Sequence, residues 1–210
     1  MTVLRRLPGL SRDALLYELS LYRSIVRWLV RRPDVPRGAE PIGYSRLVAP
    51  MLWVWILGGA VEVIVIEVVL RHLDQSWAHA LRAPLLVLGI WGVVWMLGLL
   101  ASYRMRPHLV TDAELHVRNG ARTWLVLPLG SVEATRPVEH ELPGVIRSLH
   151  FDEGLALVGI SSRTNLEMIL TGLTIVSTSK GDVTVSRVGI WVDEPREVAA
   201  QIRFLLGTRR

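Results

Sequence analysis

Two carboxylates stand where carboxylates are costly. Glu62 and Glu67 are the only charged residues in the 24-residue run 47–70, which is rich in Val, Ile and Leu. A charged side chain at the centre of a bilayer costs up to about 3 kcal/mol on insertion scales, so an acid in such a run is a functional candidate. Proton or cation passage is the sharpest form of that role. Glu67 has Arg71 four positions on, a spacing that predicts a helix-end ion pair with a snorkelling guanidinium. Glu62 has Gly58, Gly59, Val65 and Ile66 at the corresponding offsets and needs a partner from elsewhere. A second apolar run starts at Ala83. In an antiparallel pair of helices Trp91 lies at the depth of Glu62, and the stripe Met51, Trp55, Gly58, Glu62 would face Leu88, Trp91, Trp95, Gly98. This arrangement predicts a hydrogen bond from the Trp91 indole to Glu62, with Gly58 letting the backbones approach. The alternative places Glu62 against an oligomer partner or a polar cavity.

Other chemistry is sparse. The chain has no Cys, which excludes disulfides, cysteine zinc sites and thiol catalysis. Glycine-rich phosphate loops, nucleophile elbows and His-Glu-x-x-His helices are all missing from the sequence. The six His are scattered; His72 and His79 share one loop at an unfavourable spacing, and His108 and His116 read as polar surface positions on neighbouring strands. No catalytic residue, metal or cofactor is expected, and the chain reads as a non-enzyme.

The elements that must hold Glu62 and Glu67 follow from hydropathy. Half of the residues are hydrophobic, mean hydropathy is +0.36 and 20% are charged, against about 25% in an average soluble domain. Residues 47–70 and the uncharged run 83–103 each reach the roughly 30 Å of a hydrocarbon core as helices. Joined by the short loop 71–82, they predict a transmembrane hairpin. Residues 1–46 hold nine Arg and four acids, the loop only Arg71 and Arg82, and the second run is followed by Arg104 and Arg106. The positive-inside rule then predicts a two-pass protein of a bacterial cytoplasmic membrane with both termini inside. The excess charge is topogenic, and residues 104–210 are nearly neutral, which argues against nucleic acid despite a pI near 10.4.

Within the N-terminal segment 1–46, residues 11–31 place Leu15, Leu19, Tyr22, Val26 and Leu29 on one helical stripe. Such a helix either lies on the inner leaflet or packs on the C-terminal domain. Residues 33–45, rich in Pro and Gly, read as a linker. From residue 104 the texture becomes β: short strands, the hairpin signal Asn119-Gly120, and turns at Gly172 and Lys180-Gly181-Asp182. Asp193 is the expected N-cap of a final helix opened by Pro195. Seven antiparallel strands and a C-terminal capping helix predict a sandwich or barrel over 104–210.

The stretch RPHLVTDAELHVRNGARTWLVLPLGSV and the closing VDEPREVAAQIRFL resemble bacterial pleckstrin-homology-like domains that follow membrane helices, over about 104–206. Arg118, Gly120, Pro128, Val132 and Pro195 carry the likeness. The hairpin plus such a domain also resembles uncharacterised actinobacterial-type membrane proteins, which suits 23 Arg against a single Lys. The resemblance implies a mostly-β cytoplasmic domain of seven strands with a capping helix and no set ligand. Phosphoinositide binding is not carried over, since fold does not imply function. The expected role is an integral membrane protein whose domain binds a protein or lipid partner. The competing role is a subunit of a small transporter or channel; two helices enclose no pathway, so that role requires a homo-oligomer or a partner.

Overall fold

The computed structural model describes residues 7–144 and 147–207, and the backbone alone at residues 7–11 and 13. Arg5 and Arg6, counted in the charge argument, lie outside the described residues. Four α-helices lie among them: α1 (Leu7–Leu29), α2 (Ala49–His72), α3 (Ser76–Met105) and α4 (Pro195–Gly207).

The helices α2 and α3 are long and apolar enough to cross a membrane. Their side chains are mostly exposed, including Val54, Trp55, Leu57, Val61, Ile64 and Val65; a core helix of a soluble protein would bury such residues. Only residues 73–75 separate the two helices, so most of the expected loop is helical. The sequence SWAHALRA, rich in strong helix formers, adds two turns that hydropathy alone leaves out. Glycines set the closeness of the pair. A Cβ on Gly89 would lie 2.5 Å from Val63 Cγ2, and one on Gly59 3.1 Å from Met96 Cε, while Gly58 faces open space. The expected contact at Gly58 is thus displaced by one residue, which on a helix is a rotation of about 100°.

The main partner of α1 is α3, not the β domain. Fully buried Leu21 sits on Gly98, where an added Cβ would come within 2.9 Å of Leu21 Cβ. The stripe Leu15, Leu19, Val26 and Leu29 points outward and is exposed. Gly98→Leu is therefore expected to separate α1 from α3, because the nearest atoms include the Leu21 backbone and cannot swing aside. Disulfide crosslinking between Cys introduced at Glu18 and Trp91 measures it: efficient in the otherwise native chain, lost in the variant. Undiminished crosslinking would refute the contact.

The β domain is one mixed sheet with a two-stranded annex. Its strands are β1 (Glu40–Ile42), β2 (His108–Val110), β3 (Glu114–Asn119), β4 (Thr123–Pro128), β5 (Val132–Arg136), β7 (Leu149–Asp152), β8 (Leu155–Val158), β10 (Leu166–Thr178) and β11 (Gly181–Ile190). The strands β6 (His140–Glu141) and β9 (Arg163–Thr164) form the annex. The order is β1-β2-β3-β4-β10-β11-β8-β7, with β5 also on β10. Alternating inward residues such as Leu115, Val117, Leu125, Leu127, Met168 and Val188 make the core, closed by Val198 and Ile202 of α4.

Four expectations are corrected. The sheet is not wholly antiparallel, because β8 runs parallel to β11, and it does not close into a barrel. Gly172 does not turn the chain: β10 continues through it with a register shift between Ile169 and Thr174, the use of a strand glycine at a bulge. The supposed linker supplies β1, whose residues Glu40, Pro41 and Ile42 pair with Val110, Leu109 and His108. An edge strand tolerates Pro41, which lacks a donor. Asp193 does not cap α4; its Oδ1 accepts the Arg46 backbone N–H at 2.9 Å, and its own N–H donates to Gly43 O at 2.9 Å.

Candidate functional site

The structure converges on the place where the helices meet the β domain. At its centre Tyr44, just past β1, stacks on His108 with ring centroids 4.4 Å apart and planes 20° apart. Both are buried, so His108 is not the surface residue expected from its strand position. Its two ring nitrogens are both used. Nδ1 lies 2.9 Å from the Arg118 backbone N, which can only donate, so Nε2 carries the proton and donates to Trp191 O at 2.9 Å. Burial pushes His108 down to about 4, with the nearby Arg118 guanidinium acting in the same direction. The Tyr44 hydroxyl accepts the Gly120 N–H at 3.0 Å, and burial raises its pKa.

Beside this stack Asp34 gathers cations. Its carboxylate lies 2.5 Å from Arg27, 3.6 Å from Arg118 and 3.9 Å from Arg106, while its N–H donates to Met105 O at 2.8 Å. Partial burial opposes its ionisation, but the guanidiniums outweigh it and hold the carboxyl below its ordinary range. Asp34 thus ties the end of α1 to the end of α3 and to β3.

Gly120 begins the β3–β4 connection, which has three residues because Asn119 pairs with Thr123. The expected two-residue turn is replaced, since the Asn119 side chain is committed to Gly159 O at 2.7 Å. Gly120 still has φ +58°. Gly120→Val is expected to cost about 1–2 kcal/mol from left-handed strain at a β-branched residue, read from thermal unfolding of the detergent-solubilised chain; unchanged stability would refute the strain argument.

Under this hairpin lies a cleft of about 460 Å³. Among the described residues three cations line it: Arg122, Arg147 and Lys180. Hydroxyls of Ser161, Ser162 and Ser179 share the lining, while Leu99, Tyr103 and Tyr17 form the wall on the helix side. Arg122 stacks over the Tyr17 ring, 5.4 Å from its centroid. Among the described residues no carboxylate lines the cleft. Ser161 and Ser162 have φ of 50° and 59°, held in a turn closed by paired Ile160 and Arg163 backbone bonds of 2.9 and 3.0 Å. Such conformations cost roughly 1–3 kcal/mol each and persist where the surroundings impose them.

The residues singled out from sequence are brought together differently. The Trp91 indole N–H donates to Glu18 Oε1 and to the Tyr22 oxygen, both at 2.9 Å, and the Tyr22 hydroxyl donates to Glu18 Oε1 at 2.6 Å. Trp91 therefore faces α1 and not Glu62. Equal depth fixed the level of the two residues but not the rotation of their helices. Glu67 pairs with Arg82 across the hairpin, Arg82 Nε donating to Oε1 at 2.6 Å, and not with Arg71. The bridge became reachable because α3 begins early enough to carry Arg82 beside Glu67. Glu62 is exposed along a groove of about 330 Å³ between α2 and α3, lined also by Gly89 and Gly92.

A separate cluster joins the annex to the sheet: His140 Nε2 lies 2.7 Å from buried Glu167 Oε2, and Arg187 3.9 Å from it. Its partners satisfy one another, and it ties β6 to β10. Among the described residues no group of three or more His, Cys, Asp or Glu could hold a metal ion. Compared with known protein families, curated proteins and solved structures, the chain matches none.

Proposed function

We propose that the protein is a non-enzymatic integral membrane protein whose β domain binds a partner where it meets the membrane. The hairpin α2–α3 crosses a bacterial cytoplasmic membrane, both termini are cytoplasmic, and the domain is of the pleckstrin-homology-like kind. One observation carries the reading: the cleft at the junction holds Arg122, Arg147 and Lys180, with no carboxylate or imidazole among its described lining residues to act as a base. That set suits binding and offers little to general acid–base chemistry. The location of α1 fits too. It crosses α3 at Gly98, five residues before Tyr103 and so about 7.5 Å into the apolar length. Its exposed Leu15, Leu19, Val26 and Leu29 suit a helix lying in the plane of the inner leaflet.

Affinity purification of the full chain from native membranes, with identification of co-purifying proteins and lipids, tests the reading. A stoichiometric partner is expected; a bare monomer would overturn it. Reporter fusions at Ser76 and Gly207 should report opposite sides of the membrane, and an external C-terminus would overturn the topology. A second reading rests on Glu62, which among the described residues has no hydrogen-bond or ion-pair partner and faces the groove between the helices. In it, homo-oligomers surround Glu62 and pass protons or cations. Ion flux in proteoliposomes that Glu62→Gln abolishes would establish that reading over the first.

A further inference from the structure

We propose that the junction cleft binds the phosphate-bearing headgroup of an anionic membrane lipid. The inference rests on the binding role proposed above and names its ligand. Four features argue for it together. The first is charge. Arg122, Arg147 and Lys180 come from three separate segments of the chain and meet in one cleft where no acid is among the described lining residues. Lys180 is the only lysine in the chain. None of the three makes an ion pair among the described residues. Like charges converging without a counter-ion favour an anion between them, and guanidinium groups suit a phosphate in particular.

The second is hydrogen bonding. Ser161, Ser162 and Ser179 bring hydroxyls to the same wall, and Ser162 Oγ already accepts the Arg147 N–H at 3.2 Å, which fixes the Arg147 backbone beside the turn. The left-handed pair Ser161–Ser162 is a strained arrangement maintained at the cleft. The third is size: about 460 Å³ lies within the usual 300–1,000 Å³ of small-ligand sites. The fourth decides between a lipid and a soluble phosphate ester. Leu99 and Tyr103, which form one wall, belong to the last turns of the apolar helix α3, and Tyr17 comes from α1. A phosphate among the cations therefore has apolar helix surface on one side of it, which suits the acyl chains of a lipid and gives nothing to a free phosphate ester.

The test uses the full chain in neutral detergent, titrated with short-chain phosphatidylglycerol, short-chain phosphatidylcholine of equal acyl length, and glycerol 3-phosphate, with binding read by native mass spectrometry and calorimetry. Phosphatidylglycerol is expected to bind at least about tenfold more tightly than either comparison ligand, the preference shrinking with added salt. Arg147→Ala combined with Lys180→Ala should abolish the preference; this pair leaves Arg122 on Tyr17, and its far-ultraviolet circular dichroism and melting temperature should match those of the native chain. Adding Arg122→Ala should give no recovery. Glycerol 3-phosphate binding as tightly as phosphatidylglycerol would overturn the lipid assignment in favour of a soluble phosphate ester. Equal binding of the two lipids, or a double variant that keeps the preference, would overturn the cleft as the site. The broader binding role fails separately, when purification from native membranes yields the chain alone.

Discussion

Lowering the pH from about 6.5 to about 4 is expected to destabilise the folded protein by about 3 kcal/mol through His108 alone. In the folded state His108 is neutral: Nδ1 accepts from Arg118, Nε2 donates to Trp191, and the ring lies buried against Tyr44. A second proton would have to displace the Arg118 N–H. In the unfolded chain the imidazole titrates near its ordinary value. Between the two values the unfolded state binds more protons, so stability rises with pH across this window and falls as pH drops through it, levelling off below about 4. The carboxylate of Asp34, held low by Arg27, Arg118 and Arg106, loses its contribution in a lower window, below its ordinary value of 3.8. Thermal unfolding of the native chain and of His108→Phe, compared at neutral pH and near pH 4.5, separates the two. The variant should start less stable, because the Arg118 N–H and the Trp191 carbonyl lose their partner, yet change little across the His108 window. An identical pH slope in both proteins would refute the assignment.

Tyr44→Ala should be the most damaging single substitution, at about 3–5 kcal/mol, since it empties a buried aromatic site. The ring fills the space between His108 and Tyr103, whose centroid is 6.0 Å away in an edge-on contact. Tyr44→Phe keeps the ring and removes only the oxygen that accepts the Gly120 N–H, which predicts a loss of about 1–3 kcal/mol. Chemical unfolding of the full chain in detergent measures both. Equal losses would show that the hydroxyl carries the effect and the packing does not. A fragment that begins at Met105 lacks both Tyr44 and β1, so it should be far less stable than the same fragment with residues 34–46 fused to its N-terminus.

The parts of the fold legible in the sequence are those decided locally. Uncharged runs announce α2 and α3, Gly120 and its flanking alternation announce β3 and β4, and Pro195 announces α4. What escaped depends on partners distant in sequence. Residues 40–42 carry no strand pattern, and Pro41 argues against one; they become β1 only because β2 offers an edge. His108 looks like a surface residue because its alternation places it beside polar neighbours, whereas the burying group is Tyr44 from the other side of the hairpin. The Glu62–Trp91 pairing follows from the depth of two helices alone, whereas Trp91 is taken by a third, α1, which belongs to the N-terminal segment. The cleft is assembled from Tyr17, the end of α3, the β3–β4 connection, the Ile160–Arg163 turn and Lys180. No window of sequence contains enough of it to be seen.

The pairing of β1 with β2 has a consequence for how the chain is made. These neighbouring strands lie on either side of α2 and α3, so the hairpin is an insertion within a single sheet, and 65 residues separate Ile42 from its partner His108. Synthesis proceeds from the N-terminus, and β1 leaves the ribosome long before anything exists for it to pair with. The edge of the sheet can close only after the whole hairpin has emerged and folded back. Once closed, the seam holds the two chain segments at the foot of the hairpin within the roughly 4.8 Å spacing of adjacent strands. The helices are then held at both ends, by this seam at the foot and by residues 73–75 with the Glu67–Arg82 pair at the tip, so any separation between them is confined to the length in between.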